Sequence, residues 1–548
     1  MLSVPEVRSK TMHSVSEQTQ SLNQQEHVLA KLAKCNHLNH LKQLQAFLVT
    51  LGHSQTQFYA FKLVRFSVLT LANLSYARFI FDRLCSPNIY LFAAMISAYA
   101  SHSDPRSAFT LYRNMLRRGH PGPNQFIYPH VLKSCYEVLE SRGTNLVHTQ
   151  IVKTGFGGHP VVQTALVDLY SKSRHDIHIA RKMFDEMSEK NVISWTAMIS
   201  GYTRHGDIES AMSLFENMPE RDVPSWNSVI AGCTQNGLFS EAISLFKRMI
   251  FLAQEGQSRD IRPNHISVVC ALSACGHSGM LQLGKWIHGY VYRNGLGPDS
   301  FILNALVDMY GKCGNLKEAK RLFDMTSQKG LTSWNSMINC YALHGQSKNA
   351  IDVFEEMIHC NNEIRPDEVA FVGLLNACTH GGLVEKGIAF FDTMAKDYGI
   401  QPQIEHYGCL VDLLGRAGQF DEAMNVVGGM RIEADEVIWG SLLNGCKIYG
   451  RTDLAEFAVK KLIEIDPING GSDSLLANIY GEMGKWDEVR KARKMLKDRN
   501  AYKTPGCSWI EVNEQAYQFY SADKTHPRTE EILKILESLV GFVSSTSG

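Results

Sequence analysis

Apolar residues recur along the chain at the spacing of helices that bury one face. In residues 192–222 the first set occupies positions i, i+3, i+4 and i+7 and consists of Trp195, Met198, Ile199 and Tyr202. This spacing predicts a helix, and Gly206 suits its left-handed end. A second set with the same spacing predicts a second helix, which Pro219 stops because proline cannot continue the hydrogen-bond ladder. The segment is therefore predicted to be a helix–turn–helix pair.

The same pattern returns in other parts of the chain, and residues 331–367 repeat it with little change. A small residue recurs at one point of the second helix, where it lets the two helices of a pair approach closely: Ala180, Ala211, Ala242, Ala319 and Ala350. The steps from 180 to 211, from 211 to 242 and from 319 to 350 are each 31 residues. Such self-similarity is typical of a solenoid, in which each unit needs its neighbours to bury a core.

This frame divides most of the chain into predicted helix pairs. The units are residues 22–56, 57–88, 89–124, 125–159, 160–191, 192–222, 223–264, 265–299, 300–330, 331–367, 368–403 and 404–435, with two further helical pairs at 436–469 and 470–503. Beyond them, alternating apolar and polar residues in 505–523 predict one short hairpin. An amphipathic helix and a disordered tail are expected to follow. Residues 1–21 are predicted to be a disordered N-terminus or a weak transit peptide.

Composition narrows the function without identifying it. Lys and Arg together number 55, and so do Asp and Glu, which leaves no bulk basic field for tight, sequence-independent binding to nucleic acid. The thirteen Cys are scattered, many of them in apolar runs, and are predicted to be buried, reduced thiols. No run of eighteen apolar residues occurs, so no membrane span is predicted.

The units resemble pentatricopeptide repeats rather than tetratricopeptide repeats, whose W-x2-L-G-x2-Y opening is absent. The matching motifs are the SW[NT]xxI openings at Trp195, Trp226 and Trp334, the LFxxM second helices at Leu214 and Leu245, and closing pairs at Pro123–Asn124, Pro263–Asn264 and Pro366–Asp367. The mixed unit lengths resemble the plant subclass that combines long, short and standard repeats.

The C-terminal part sharpens this resemblance. Residues 404–423 resemble the last repeat of that subclass, and residues 435–450 and 505–513 resemble its E-type extensions. The resemblance implies an all-α fold, a right-handed α-solenoid of helix–turn–helix repeats. It also implies E-type helical motifs in 436–503 and an E+-like extension and tail in 504–548.

Two residues of each repeat are implied by the resemblance to contact one base of single-stranded RNA. They are the residue after the Trp, or its equivalent, and the last residue of the unit. The polar pairs at these positions are Thr164 with Asn191, Thr196 with Asp222, Asn227 with Asn264, and Asn335 with Asp367. By the family's pairing rules these pairs favour A, G, a pyrimidine and U. Asn304 pairs with Gly330, which departs from the pattern and leaves its base undetermined.

The residues alone leave other roles open at these positions. Asn, Thr and Asp are also common as helix caps and in turns, so capping is the alternative for each polar pair. At unit position two, an apolar residue such as Ile193, Pro224 or Phe301 either wedges between bases or belongs to the core.

No enzymatic centre is predicted. Relatives that deaminate cytidine use an H-x-E motif and a C-x-x-C zinc pair. Here no His is followed two places on by Glu, and no C-x-x-C occurs. We therefore expect no catalytic residue, no bound metal and no cofactor.

The resemblance implies a sequence-specific RNA-binding protein that selects a site for C-to-U editing of organellar transcripts. The implied partners are single-stranded organellar RNA and a DYW-type deaminase or editing accessory proteins, recruited in trans through the C-terminal extension. No membrane partner is expected. An organelle is the expected location, the mitochondrion before the chloroplast. Two alternatives stay open: organellar splicing or transcript stability, and a tetratricopeptide-like scaffold that binds proteins.

Overall fold

The computed structural model describes residues 28, 30–33, 35–102, 104–173, 176–254, 261–297, 299–326, 328–360, 364–499, 507–512, 515–520 and 528–536. The expectations for residues 1–21 and for the tail after residue 536 lie outside these residues. The chain divides into two compact parts, residues 1–232 and 233–548, which we call the N-terminal body and the C-terminal body.

The N-terminal body is a succession of helices. They are α1 (Leu38–Thr50), α2 (Gln57–Leu69), α3 (Leu74–Asp82), α4 (Ile89–Ser101), α5 (Pro105–Arg118), α6 (Tyr128–Lys153), α7 (Pro160–Lys172), α8 (Ile177–Glu186), α9 (Val192–Arg204), α10 (Ile208–Asn217) and most of α11 (Val223–Gln235).

The C-terminal body continues the helical pairs and adds a hairpin. Its helices are α12 (Phe239–Gln254), α13 (His265–His277), α14 (Leu281–Arg293), α15 (Ser300–Lys312), α16 (Leu316–Met325), α17 (Leu331–Leu343), α18 (Ser347–Cys360), α19 (Glu368–Gly381), α20 (Val384–Lys396), α21 (Ile404–Arg416), α22 (Phe420–Gly428), α23 (Glu436–Tyr449), α24 (Thr452–Ile465), α25 (Gly471–Glu482) and α26 (Trp486–Asp498). Strands β1 (Cys507–Val512) and β2 (Gln515–Tyr520) pair antiparallel, with Cys507 opposite Tyr520. The predicted hairpin is confirmed, and residues 529–536 are helical.

The helix pair predicted in residues 192–222 is confirmed as α9 and α10. Gly206, between them, has a φ of 79°, a left-handed conformation that glycine adopts without steric cost. Helix α10 ends at Asn217. Met218 is extended, with φ −68° and ψ 123°, because a residue that precedes proline is driven out of the helical region.

The recurring alanines lie on the second helices of their units. All five are completely buried: Ala180, Ala211, Ala242, Ala319 and Ala350. A larger side chain at such a point would force the backbones apart, and overpacking of this kind costs about 1–3 kcal/mol.

Neighbouring units are joined by an aromatic contact between the second helix of one and the first helix of the next. The Phe of the LFxxM motif or its equivalent meets the following Trp edge to face, with ring centroids 5.0 Å apart for Phe184–Trp195, 4.8 Å for Phe215–Trp226 and 5.0 Å for Phe323–Trp334. Trp226 is fully buried. Two of the three motifs that carry the family resemblance, the Trp openings and the LFxxM second helices, therefore form the contact between neighbouring repeats.

One unit departs from the predicted helix pair. Residues 125–159 contain a single helix of 26 residues, α6, in place of two helices and a turn. Residues 137–142 read EVLESR, a run dominated by good helix formers. Gly143 follows within the helix, so the glycine that elsewhere ends a first helix does not end this one.

The cysteines largely match their prediction. Among the described residues, all eleven cysteines that are characterised are unpaired thiols, and Cys85 alone of these is exposed. Burial raises the pKa of Cys340 to about 12, which keeps that thiol protonated and unreactive.

Candidate nucleic-acid interface

Clefts in both bodies are lined by the same positions of the first helices. Counted from the start of a unit these are positions 2, 5, 9 and 13, which share one face because residues three or four apart are neighbours on a helix. In the N-terminal body, a cleft of about 340 Å³ is lined by residues that include Phe61, Arg65, Leu69, Tyr90, Ala93, Ser97 and Ser101. In the C-terminal body, a cleft of about 510 Å³ is lined by residues that include Ser273, Phe301, Asn304, Asp308 and Thr332. We call these four positions the groove stripe.

Thr164 and Asn191 form the pair that the sequence predicted. Asn191 Nδ2 donates a hydrogen bond to Thr164 Oγ1 at 3.3 Å, and Thr164 donates in turn to the carbonyl of Pro160 at 2.9 Å. Asn191 Oδ1 accepts from the backbone N–H of Ser194 at 2.8 Å and so caps α9. The sequence left capping and pairing as alternatives for Asn191. The structure shows both: the amide nitrogen of Asn191 pairs with Thr164, and its amide oxygen caps α9.

Asn335 and Asp367 pair in the same way in the C-terminal body. Asn335 Nδ2 donates to Asp367 Oδ1 at 2.9 Å, and the same oxygen accepts from the backbone N–H of Ala370 at 3.0 Å to cap α19. Asn335 Oδ1 is buried and has no hydrogen-bond partner among the described residues. An unsatisfied buried acceptor costs about 1–3 kcal/mol, and a donor brought to this oxygen would recover that cost.

The residues of the other two polar pairs lie at the predicted helix positions. Thr196 Oγ1 donates to the carbonyl of Val192 at 2.8 Å, and Asp222 Oδ1 accepts from the backbone N–H of Ser225 at 2.9 Å. Asn227 is buried in the N-terminal body. Asn264 caps α13 in the C-terminal body.

Asn304 pairs differently from the prediction. Its Oδ1 accepts a hydrogen bond from Ser333 Oγ at 2.7 Å, while Gly330 is the N-cap of α17 and contributes no side chain. At the equivalent place in α9, Ser194 Oγ donates to the carbonyl of its own cap residue, Asn191, at 2.8 Å. A serine of the next unit thus supplies the contact that Gly330 lacks.

Position two of the unit is apolar and exposed in eight units. Seven of these residues are 46% to 70% exposed, from Ile266 to Phe301, and they are Tyr90, Phe126, Val161, Ile193, Ile266, Phe301 and Val369. Pro224 is the eighth. The alternative that Ile193, Pro224 and Phe301 belong to the core is therefore wrong. Flat or branched apolar side chains that stand free beside a polar pair provide surfaces on which bases can stack.

The sequence reasoning missed positions 9 and 13 of the groove stripe. In three units an Asp at position 9 pairs with a cation at position 13: Asp168 with Lys172, Asp308 with Lys312, and Asp412 with Arg416. The signal was present, because the pattern V-D-x-x-x-[KR] recurs in the same register at 167–172, 307–312 and 411–416.

Among the described residues that line the two clefts, His130 is the titratable group whose pKa is shifted. His130 lines the N-terminal cleft, and burial, aided by the charge of Lys133, lowers the pKa of its imidazole. Among the described residues no group of three His, Cys, Asp or Glu could hold a metal ion. Within the same residues, no helix combines the length and the apolar character needed to cross a bilayer.

The repeated helix pairs define a helical repeat protein in which the first helices of several units line clefts with the same positions. A PPR repeat model matches residues 90–120, 193–223, 224–251, 301–331, 332–362 and 405–433, and an E motif model matches residues 449–511. The maize protein PPR10 resembles the structure with a TM-score of 0.50 at 17% identity, over 84% of this chain and 72% of that chain.

Curated relatives extend the similarity over nearly the whole chain. The pentatricopeptide repeat-containing protein At1g33350 of Arabidopsis thaliana is 56% identical over 528 residues, which cover 95% of this chain and 96% of the relative. The chloroplastic protein CRR2 of the same plant is 36% identical, over 97% of this chain and 77% of its own length. The chain belongs to the pentatricopeptide repeat family, in the group that carries the E motif.

Proposed function

We propose that the protein binds one specific single-stranded RNA along its groove stripes, with one repeat for each nucleotide. The observation that carries the proposal is the bonded pair at Asn335 and Asp367, which leaves one buried amide oxygen unsatisfied. Uracil and guanine offer a ring N–H on their Watson–Crick edge, whereas cytosine offers an acceptor there. The amide oxygen therefore favours U over C, in agreement with the family's pairing rules.

The same arrangement supports base contacts at the other pairs. A hydrogen bond from Asn191 holds Thr164 in place. The exposed Val161 and Ile193 each precede a polar residue at position five of their unit, Thr164 and Thr196. A protein-binding scaffold has no need for a short polar pair combined with an exposed apolar neighbour in successive units. RNA binding is the better account of both features.

The pairs specify an order of bases that a binding assay can test. With RNA and protein aligned in parallel, units 160–191, 192–222, 223–264 and 331–367 meet A, G, a pyrimidine and U at about −11, −10, −9 and −6 relative to the edited C. Gel-shift titrations should show losses of about 5–30-fold for a substitution at each of these positions, the factor that corresponds to 1–2 kcal/mol. Substitutions at about −8 and −7, opposite units with no assigned base, serve as the matched control. Equal affinity for all of these RNAs would refute the register.

The E motif supports a role in C-to-U editing, with the deaminase supplied by a partner through residues 436–548. The names of several relatives, such as the chloroplastic CRR2 and the chloroplastic/mitochondrial At1g59720, support an organellar location. They give the expected preference for the mitochondrion no support. Sequencing of organellar transcripts from plants with and without the protein tests the role: one unedited C supports editing, and a lost or unspliced transcript favours the alternative in splicing or stability.

A further inference from the structure

Three first helices end on a cation that an aspartate of the same groove stripe already neutralises. The distances between the charged atoms are 2.5 Å for Lys172 and Asp168, 2.8 Å for Lys312 and Asp308, and 2.9 Å for Arg416 and Asp412. Each aspartate lies at position 9 of its unit, four residues after the position-5 residue, and each cation lies at position 13, four residues further. The pairs therefore follow the base-contacting position along one helix face.

The location of one pair within the groove is direct. Asp308 lines the same cleft as Phe301 and Asn304. Lys312 Nζ, besides its contact with Asp308, lies 3.3 Å from His277 Nε2 on the preceding first helix. His277 occupies position 13 of its own unit, so the ends of two successive groove stripes meet at this lysine.

Other units lack the carboxylate at position 9. Ser200 precedes Arg204, Ser273 precedes His277 and Asn376 precedes His380 by the same four residues. An aspartate is therefore not required by the fold at this position, and the three ion pairs are a distinct feature of their units.

An RNA backbone that follows the groove stripes brings a phosphate past each unit, and a free cation there adds affinity through counterion release whatever the base. We propose that Asp168, Asp308 and Asp412 limit this sequence-independent contribution by competing with phosphate for Lys172, Lys312 and Arg416. The proposal rests on the function proposed above. Its consequence is that discrimination between RNAs depends more on the polar pairs and less on charge.

The test replaces the three carboxylates and leaves the cations in place. The variant D168N/D308N/D412N should bind RNA more tightly, and the slope of log K against log salt should steepen by about 0.7 for each freed cation, the value for single strands. At 0.1 M salt this amounts to about a five-fold gain per site. Matching and mismatched RNAs should gain equally, because phosphates carry no base identity.

The control makes the same chemical change on second helices. Asp185, Asp324 and Asp392 also pair with a cation four residues away, at 2.8, 2.7 and 2.6 Å, and they lie on α8, α16 and α20. D185N/D324N/D392N alters net charge equally and should leave the salt slope nearly unchanged. The reverse variant S200D, which places a carboxylate four residues before Arg204, should weaken binding to all RNAs and flatten the slope.

The outcomes separate the two proposals. One result would overturn the role of the three aspartates and leave RNA recognition unaffected. In that result the wild-type protein binds its RNA, and the slope of log K against log salt is the same for the groove variant and the second-helix control. A change in base preference rather than in general affinity also overturns it. If the wild-type protein bound no RNA, both the proposed RNA recognition and the proposed role of the three aspartates would be overturned.

Discussion

Replacement of Asn335 by alanine probes the base contact where the structure describes it most completely. The wild-type side chain donates to Asp367 and presents an unsatisfied, buried Oδ1. A U at the facing nucleotide satisfies this oxygen with its N3–H, whereas a C places an acceptor against an acceptor. Relief of the desolvation cost is worth about 1–3 kcal/mol, so U should bind about 5–30-fold or more tightly than C.

N335A removes both the acceptor and the donor to Asp367. Affinity for the U-containing RNA should fall by about 0.5–1.5 kcal/mol, the net value of one hydrogen bond, and the preference for U over C should nearly vanish. Fluorescence anisotropy with two RNAs that differ only at this nucleotide measures both quantities. Asp367 still caps α19 through the backbone N–H of Ala370, so the fold should persist, which a thermal melt checks.

The matched control lies in the same unit. Asn349 is an exposed residue of α18 whose amide donates to Gln346 at 2.7 Å, outside the groove stripe. N349A should preserve both the affinity and the preference for U. A preference for U that survived N335A would refute the assignment of the amide oxygen as the discriminating group.

Three further changes test other parts of the same account. T196N should shift the preference of unit 192–222 from G toward U by about 1 kcal/mol, on the scale of base contacts, as measured by competition between the two RNAs; an unchanged preference would leave Thr196 with a structural role alone. F301S should weaken RNA binding by about 1–3 kcal/mol in the anisotropy assay without lowering the unfolding midpoint, because the ring is 70% exposed; a large loss of stability would contradict its place in the groove. W226A should destabilise the protein by about 3–5 kcal/mol in chemical denaturation, because this fully buried ring forms the joint with Phe215; a cost below 1 kcal/mol would show that the joint is dispensable.

Much of the fold followed from spacing alone. The interval between apolar residues predicted α9 and α10, and the alanine period marked positions that are fully buried, because both depend on local geometry that repeats. The exception, α6, arose where good helix formers occupy the expected turn, so the helix continues through the turn and through Gly143. Alternation of apolar and polar residues was sufficient for the terminal hairpin.

The site was predictable in position and less so in its contacts. Register placed Thr164 beside Asn191 and Asn335 beside Asp367, and hydrogen bonds join both pairs. The partner of Asn304 could not be predicted, since it is a serine of the next helix, Ser333, whose N-cap residue is a glycine without a side chain. The exposure of position two likewise depends on which face of the helix meets its neighbours, and an apolar residue looks the same in sequence whether it is buried or free.

A last consequence comes from two residues that each end a unit, Asn191 and Asp367. Each pairs with a polar residue of its own unit and also caps the next helix. Because Asn191 and Asp367 both cap the helix that follows, these two positions favour short side chains that can accept a hydrogen bond from a backbone N–H. Replacement by a long or apolar residue would cost about 0.5–2 kcal/mol of helix stability before any RNA is bound. A variant designed to bind a new transcript should therefore keep Ser, Thr, Asp or Asn at these two positions. Its base preference should be changed mainly through the paired residue at position five of the unit.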